Sequence, residues 1–142
     1  MTNEQRAWID ALRSGQYQQC KGALYDGHGY CCLGVAAKTL DYVFVKESLK
    51  EENWFYQDYN GLLRKGVLDR YTHKLLGIES TMQDFLAALN DKGTSFETIA
   101  TFLEQFFTTG RPPGQNRNKK ILMAWAGQQM RFAPSGIIIE EV

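Results

Sequence analysis

The sequence predicts an α+β fold: a single compact domain, helix-rich, with a short N-terminal β-hairpin packed on a helix, a central helical hairpin and a C-terminal strand. Three observations predict it. A chain of 142 residues suits one domain able to bury a sizeable core without metal or disulfide. Apolar residues recur at helical spacing from 82 to 107. The glycine-rich punctuation Asp26-Gly27-His28-Gly29 separates two short runs, as a hairpin connection does.

Each element follows in order. Thr2 or Asn3 is placed to cap a first helix with Trp8 and Leu12 at i, i+4, and Gly15 to end it. Residues 21–32 read as the hairpin, after which "LGVAAKTL" changes to helical period. "YVFV" (42–45) suggests a strand, and the polar stretch that follows to Tyr59 a loop or short helix. Asn60-Gly61 is a turn, followed by irregular short helices interrupted by Gly66 and Gly77. Ser80 is placed to cap a helix whose Met82, Phe85, Leu86 and Leu89 share one face, with Gly93 as terminator. Thr94 and Glu97 have capping-box spacing and open a second helix with Phe96, Ile99, Ala100, Leu103 and Phe107 on a stripe. Pro112 and Pro113 cannot continue it, so 110–120 is a basic loop, and within 121–142 the β-branched Ile137–Ile139 suggest a strand. The single domain 1–142 thus divides into 1–60, 61–109, 110–120 and 121–142.

Sixteen basic and sixteen acidic residues cancel, but the cancellation is uneven. No acid lies between Glu104 and Glu140, where Arg111, Arg117, Lys119, Lys120 and Arg131 collect a net +5, and residues 41–58 form an acidic pole. Such a basic segment attracts anions even on a neutral molecule. Glu4 and Asp10 interrupt what a signal peptide would need, no apolar run reaches membrane-spanning length, and three cysteines make no disulfide framework. These features predict a reduced, cytosolic protein with no membrane partner.

Cys31 and Cys32 carry the one enzymatic reading. A thiol at a helix N-terminus has its thiolate stabilised there, and His28 could act as base, which would make a cysteine hydrolase. Against it, free cysteines more often fill space in a core, and strand alternation sends adjacent side chains to opposite faces. Cys20, Cys31, Cys32, His28 and His73 lack the paired spacing of a zinc site, so no metal and no cofactor are expected. "LNDKGTSFETIATFL" opens like a helix-turn-helix, but "TFLEQFF" is apolar and acidic where a recognition helix needs basic or amide side chains. The basic loop matches no phosphate-binding fingerprint. Its Arg111, Arg117, Lys119 and Lys120, with the aromatic and turn residues Tyr25, His28, Trp54 and Tyr56, are the candidate ligand contacts.

The order of "ALRSGQY" (11–17), "KGAL" (21–24), "GYCCLGV" (29–35) and "LNDKGTSFETIA" (89–100) resembles a widespread group of small, mostly uncharacterised proteins encoded by tailed bacteriophages. The resemblance covers residues 8–40 and 61–104. It implies an accessory protein acting in the cytoplasm of an infected bacterium, and by analogy an antagonist of host defence; it implies no catalytic residues. The expected function is therefore a non-enzymatic, homo-oligomeric binding protein that sequesters a small anionic or nucleotide-like signalling ligand. The alternatives are a protein inhibitor docking on a host defence enzyme through the acidic and aromatic residues 47–59, a DNA binder and the cysteine hydrolase.

Overall fold

Helix α1 (Asn3–Arg13) starts where Thr2 and Gln5 cap each other's backbone, and it turns Trp8, Ile9 and Leu12 inward. In the computed structural model, which describes residues 1–109, α1 lies against three of the other helices, including α2 (Cys32–Thr39), an eight-residue segment whose first six residues are all buried. A helix apolar on every side belongs in the centre of a core. After it come a sheet, then α3 (Arg70–Leu76), α4 (Ser80–Asp91) and α5 (Phe96–Thr109). The described residues form a single compact α+β domain whose core joins α1, α2, α4 and α5, with Phe85 and Phe102 in ring contact between the last two.

The central helical hairpin forms as its periodicity predicts, with both caps displaced by one residue. Glu79 rather than Ser80 occupies the N-cap of α4, and Ser95 rather than Thr94 caps α5 by accepting from the Thr98 N–H at 3.2 Å. Thr94 is buried instead, because its backbone closes the turn onto Leu89. The N-terminal hairpin contracts to a single antiparallel bridge, Tyr25 to Tyr30, around the 26–29 turn.

A larger difference lies at 44–64, where the sequence suggests only one strand followed by a loop or helix. Three strands of two or three residues form there: β1 (Phe44–Val45), β2 (Phe55–Gln57) and β3 (Leu63–Arg64), antiparallel and in that order. The β2–β3 turn is organised by Asp58. One carboxylate oxygen accepts from the Asn60 and Leu62 N–H groups, and the other pairs with Arg64 Nε at 2.7 Å. That Arg64 bond is the chief reason the Asp58 carboxyl titrates below its ordinary range. β3 also replaces part of the helical segment expected after Gly61, leaving α3 alone between 66 and 77. The basic loop and the C-terminal strand expected beyond residue 109 lie outside the described residues. Among the described residues, no helix is long and apolar enough to cross a membrane.

Candidate functional site

The stretch from Gly22 to Gly34 is a junction held by close backbone approach. A Cβ on Gly34 would collide with the Leu24 carbonyl, and one on Gly29 would sit 2.7 Å from the Gln18 oxygen. Only glycine permits α2 and the preceding chain to meet so closely. At the turn, Asp26 Oδ1 accepts from the His28 and Gly29 N–H groups, each at 2.8 Å. Those two bonds lower the Asp26 carboxyl below its ordinary value.

From α4, Asn90 clasps this junction. It has no exposed surface; its Oδ1 accepts from Cys32 N and Gln19 Nε2, and its Nδ2 donates to the Cys20 carbonyl at 2.7 Å. Its neighbour Asp91 accepts from Gly22 N at 3.0 Å, while Trp8 Nε1 donates to the Cys32 carbonyl at 2.9 Å. The "GYCCLGV" and "LND" blocks are therefore two halves of one contact.

The thiols belong to this packing. Cys31 caps α2, its Sγ accepting from Gly34 N at 3.4 Å, and Cys32 Sγ points at the Leu86 carbonyl. Burial pushes Cys31 up to about 11 and Cys20 to about 12, and raises the wholly buried Cys32 well above the usual thiol value. A nucleophile needs the opposite shift and access to substrate. His28 is exposed at the turn tip, and its side chain makes no hydrogen bond to either thiol among the described residues.

Beside the junction lies a groove of about 200 Å³. One wall is Gly22–Asp26, and the other comprises Glu52, Asn53 and Trp54 with Lys65 and Gly66. Two of the expected ligand contacts meet here. Tyr25 and Trp54 are edge-to-face with centroids 5.0 Å apart, and Tyr25 stacks at 4.6 Å on Tyr30, fixing its ring plane. Trp54 is held from behind by Gly27, where a Cβ would lie 3.0 Å from the indole nitrogen, and Lys46 sits 5.1 Å from the indole ring centroid. The groove thus offers aromatic surface, the carboxylates of Asp26 and Glu52, the Asn53 amide and one ammonium at Lys65.

The other expected contacts fall elsewhere. His28 lies beside the groove and does not line it. Tyr56 is fully buried, stacked on Tyr42; its hydroxyl donates to Asp69 Oδ1 at 2.6 Å and accepts from the Asp69 N–H at 2.8 Å. Thr72 Oγ1 also donates to Asp69 and lies 2.7 Å from the Tyr42 hydroxyl, so this polar network pins the sheet to α3. Burial by itself would raise the Asp69 carboxyl, but the bonds from Thr72 and Tyr56 outweigh it and hold it low. Arg111, Arg117, Lys119 and Lys120 lie outside the described residues. Glu52 and Asn53, within the 47–59 segment expected only as a docking surface, and Lys65 were not among the expected ligand contacts; a polar run carries no periodicity to say which members turn toward a groove.

Residues 1–68 match the model of a family described as a domain of unknown function, DUF8296. No curated protein and no solved structure matches the chain. Every residue lining the groove falls within the matched segment.

Proposed function

We propose that this chain is a non-enzymatic binding protein that sequesters a small nucleotide-like ligand in the groove between Tyr25 and Trp54. The observation that carries the reading is the convergence of those two rings, supplied by separate segments, beside the carboxylates of Asp26 and Glu52. Aromatic faces take a planar base, and ionised carboxylates accept from its amino groups. Two carboxylates in the walls disfavour a bare anion, so of the two ligand classes expected from the sequence the groove suits the nucleotide-like one. Lys65 stands where it could meet a phosphate. The buried, high-pKa thiols support binding over catalysis. The resemblance to phage accessory proteins supports a role against a host defence signal in the cytoplasm of an infected bacterium.

Thermal unfolding with a panel of linear and cyclic nucleotides tests this. A ligand at a hundred times its Kd should stabilise the fold by about 2.7 kcal/mol, and Trp54→Ala should remove that gain. A panel that gives no stabilisation defeats the reading.

A second reading, a protein inhibitor docking on a host defence enzyme, is favoured by one observation. Apart from Met1, every exposed large hydrophobic among the described residues lies between Val43 and Tyr71. Val45 and Leu63 lie on the face of the sheet away from Tyr56, and Val43 immediately precedes β1. If that surface docks, Val45→Asp with Leu63→Asp abolishes activity in infected cells while nucleotide binding survives; unchanged activity removes this reading.

A further inference from the structure

The side chains that line the groove are richer in hydrogen-bond acceptors than in donors. Asp26 Oδ1 is committed to the turn, where it accepts from the His28 and Gly29 N–H groups, and its Oδ2 is left without a hydrogen-bond partner among the described residues. The N–H groups of Gly29 and His28 hold this carboxyl below its ordinary range, so at neutral pH it is ionised and only accepts. On the other wall, both carboxylate oxygens of Glu52 lack a partner among the described residues; only its backbone N–H is used, toward Glu51. Asn53 Nδ2 donates to Glu51 Oε1 at 3.1 Å, which orients the amide and leaves its oxygen as a further acceptor. Against these stand two side-chain donors, the Trp54 indole N–H and the Lys65 ammonium, while the Tyr25 hydroxyl serves either way.

Resting on the reading of this groove as a nucleotide site, we propose that it selects guanine over the other bases. The Watson–Crick edge of guanine carries two adjacent donors, the ring N1–H and the 2-amino group, which match the two oxygens of one carboxylate. Glu52 has both oxygens free for that pair. Adenine sets its amino group beside the N1 lone pair, and cytosine sets its amino group beside the N3 lone pair. A carboxylate that accepts from either amino group therefore meets a second acceptor. Uracil has one N–H between two carbonyls, with the same consequence. Each of these bases leaves a carboxylate oxygen unpaired once it covers the groove, which costs affinity. The rings of Tyr25 and Trp54 do not discriminate, because every base has a π-face. Selectivity falls to the acceptors.

The nucleotides GMP, IMP, AMP, CMP and UMP share ribose and phosphate, so comparing them isolates the base. Isothermal titration calorimetry of the full chain at constant pH and ionic strength reads the affinities, with the 3′,5′-cyclic forms as a second series. GMP should bind tightest, and IMP, which lacks only the 2-amino group, about tenfold more weakly, the loss expected when one hydrogen bond to a charged group goes. AMP, CMP and UMP should bind no better than IMP. Glu52→Gln should bring GMP down about tenfold, to the level of IMP, and leave AMP unchanged. Glu52 is exposed and its carboxylate bonds to nothing else in the fold, so this variant keeps the core, and matching unfolding curves verify it. Trp54→Ala should weaken every base alike, which separates stacking from edge recognition. Equal affinity for GMP and IMP, tighter binding of any other base, or unaltered GMP affinity in Glu52→Gln overturns guanine selection and leaves the groove a nucleotide site of another preference. No binding in either series defeats the nucleotide reading itself, and this inference with it.

Discussion

The two walls of the groove are built by opposite means. Residues 22–26 sit on a junction where glycines bring backbone against backbone and the fully buried Asn90 satisfies groups of Gln19, Cys20 and Cys32. Residues 52–54 and 65–66 hang from a sheet whose strands are two or three residues long and whose outward residues Val45 and Leu63 are apolar and exposed. Its strongest tie to the helices is the Tyr42–Thr72–Asp69–Tyr56 network. A junction of this kind fails all at once, because no side chain can give way. A short sheet on one polar pin can open locally while the helices stay folded. The wall carrying Tyr25 should therefore be the fixed one, and the wall carrying Trp54 the one that adjusts to a ligand.

The largest effect that would break this comparison is at Gly34. Alanine there drives a Cβ into the Leu24 carbonyl, which the rest of the junction prevents from moving. The expected cost is about 4 kcal/mol or more, at the upper end for overpacking. Circular dichroism melting of Gly34→Ala should show loss of the whole cooperative transition. A variant with near-normal stability would mean that the junction yields.

Next comes the pin. Asp69→Ala removes the N-cap of α3 and leaves the hydroxyls of Tyr56 and Thr72 without their shared acceptor, at a cost of about 3 kcal/mol. Hydrogen exchange should report the loss mainly at residues 44–64, with α1 and α4 amides protected as before. The pH dependence follows from the same carboxylate. Its folded pKa is lowered, so its stabilisation is complete above the unfolded value near 4 and is lost as pH falls through the folded one. In Asp69→Asn the acid limb of the stability curve should be shallower than in the parent chain.

That contrast also governs what the sequence makes legible. The helices α1, α4 and α5 announce themselves because each runs for about three turns or more and buries apolar residues at helical spacing on one face. The fold class follows from them. The sheet is hidden because two-residue strands leave no alternation to read, and "NWFYQD" looks like a polar loop with stray rings. Adjacent positions there face opposite ways: Tyr56 is buried and Gln57 exposed. The clasp is hidden for a different reason. Asn90 is polar and read as part of a helix end, while its partners lie 58 to 71 positions away. Of the groove, Tyr25 and Trp54 were visible as aromatics without an obvious core face, but their meeting is a product of tertiary structure. Both cap assignments missed by one residue: at α5 the Ser95 hydroxyl rather than Thr94 takes the Thr98 N–H, and at α4 the N-cap position falls on Glu79, which makes no side-chain capping bond.

A smaller perturbation tests the adjustable wall directly. Gly27 holds φ at 94°, which an L side chain adopts with strain, and its Cβ would press on the Trp54 indole nitrogen. Gly27→Ala should cost about 1–2 kcal/mol. It should also shift the Trp54 emission and weaken nucleotide binding, because the indole must move before the loop does. Unchanged emission with lowered stability would place the give in the 26–29 turn and reverse the assignment of fixed and adjustable walls.

The smallest effect is expected at His28, the side chain that sequence alone makes most suspicious. The turn uses its backbone N–H as a donor to Asp26, and the imidazole is exposed and does not line the groove. His28→Ala keeps that N–H and should change stability by no more than about 0.5 kcal/mol, with nucleotide affinity unaltered. His28→Pro removes the donor and should cost about 1–2 kcal/mol, the penalty for losing a hydrogen bond to a charged acceptor. The pair separates the roles of backbone and ring. A stability loss confined to proline assigns His28 to the construction of the fixed wall, whereas an affinity loss in alanine at unchanged stability would bring the ring to the ligand.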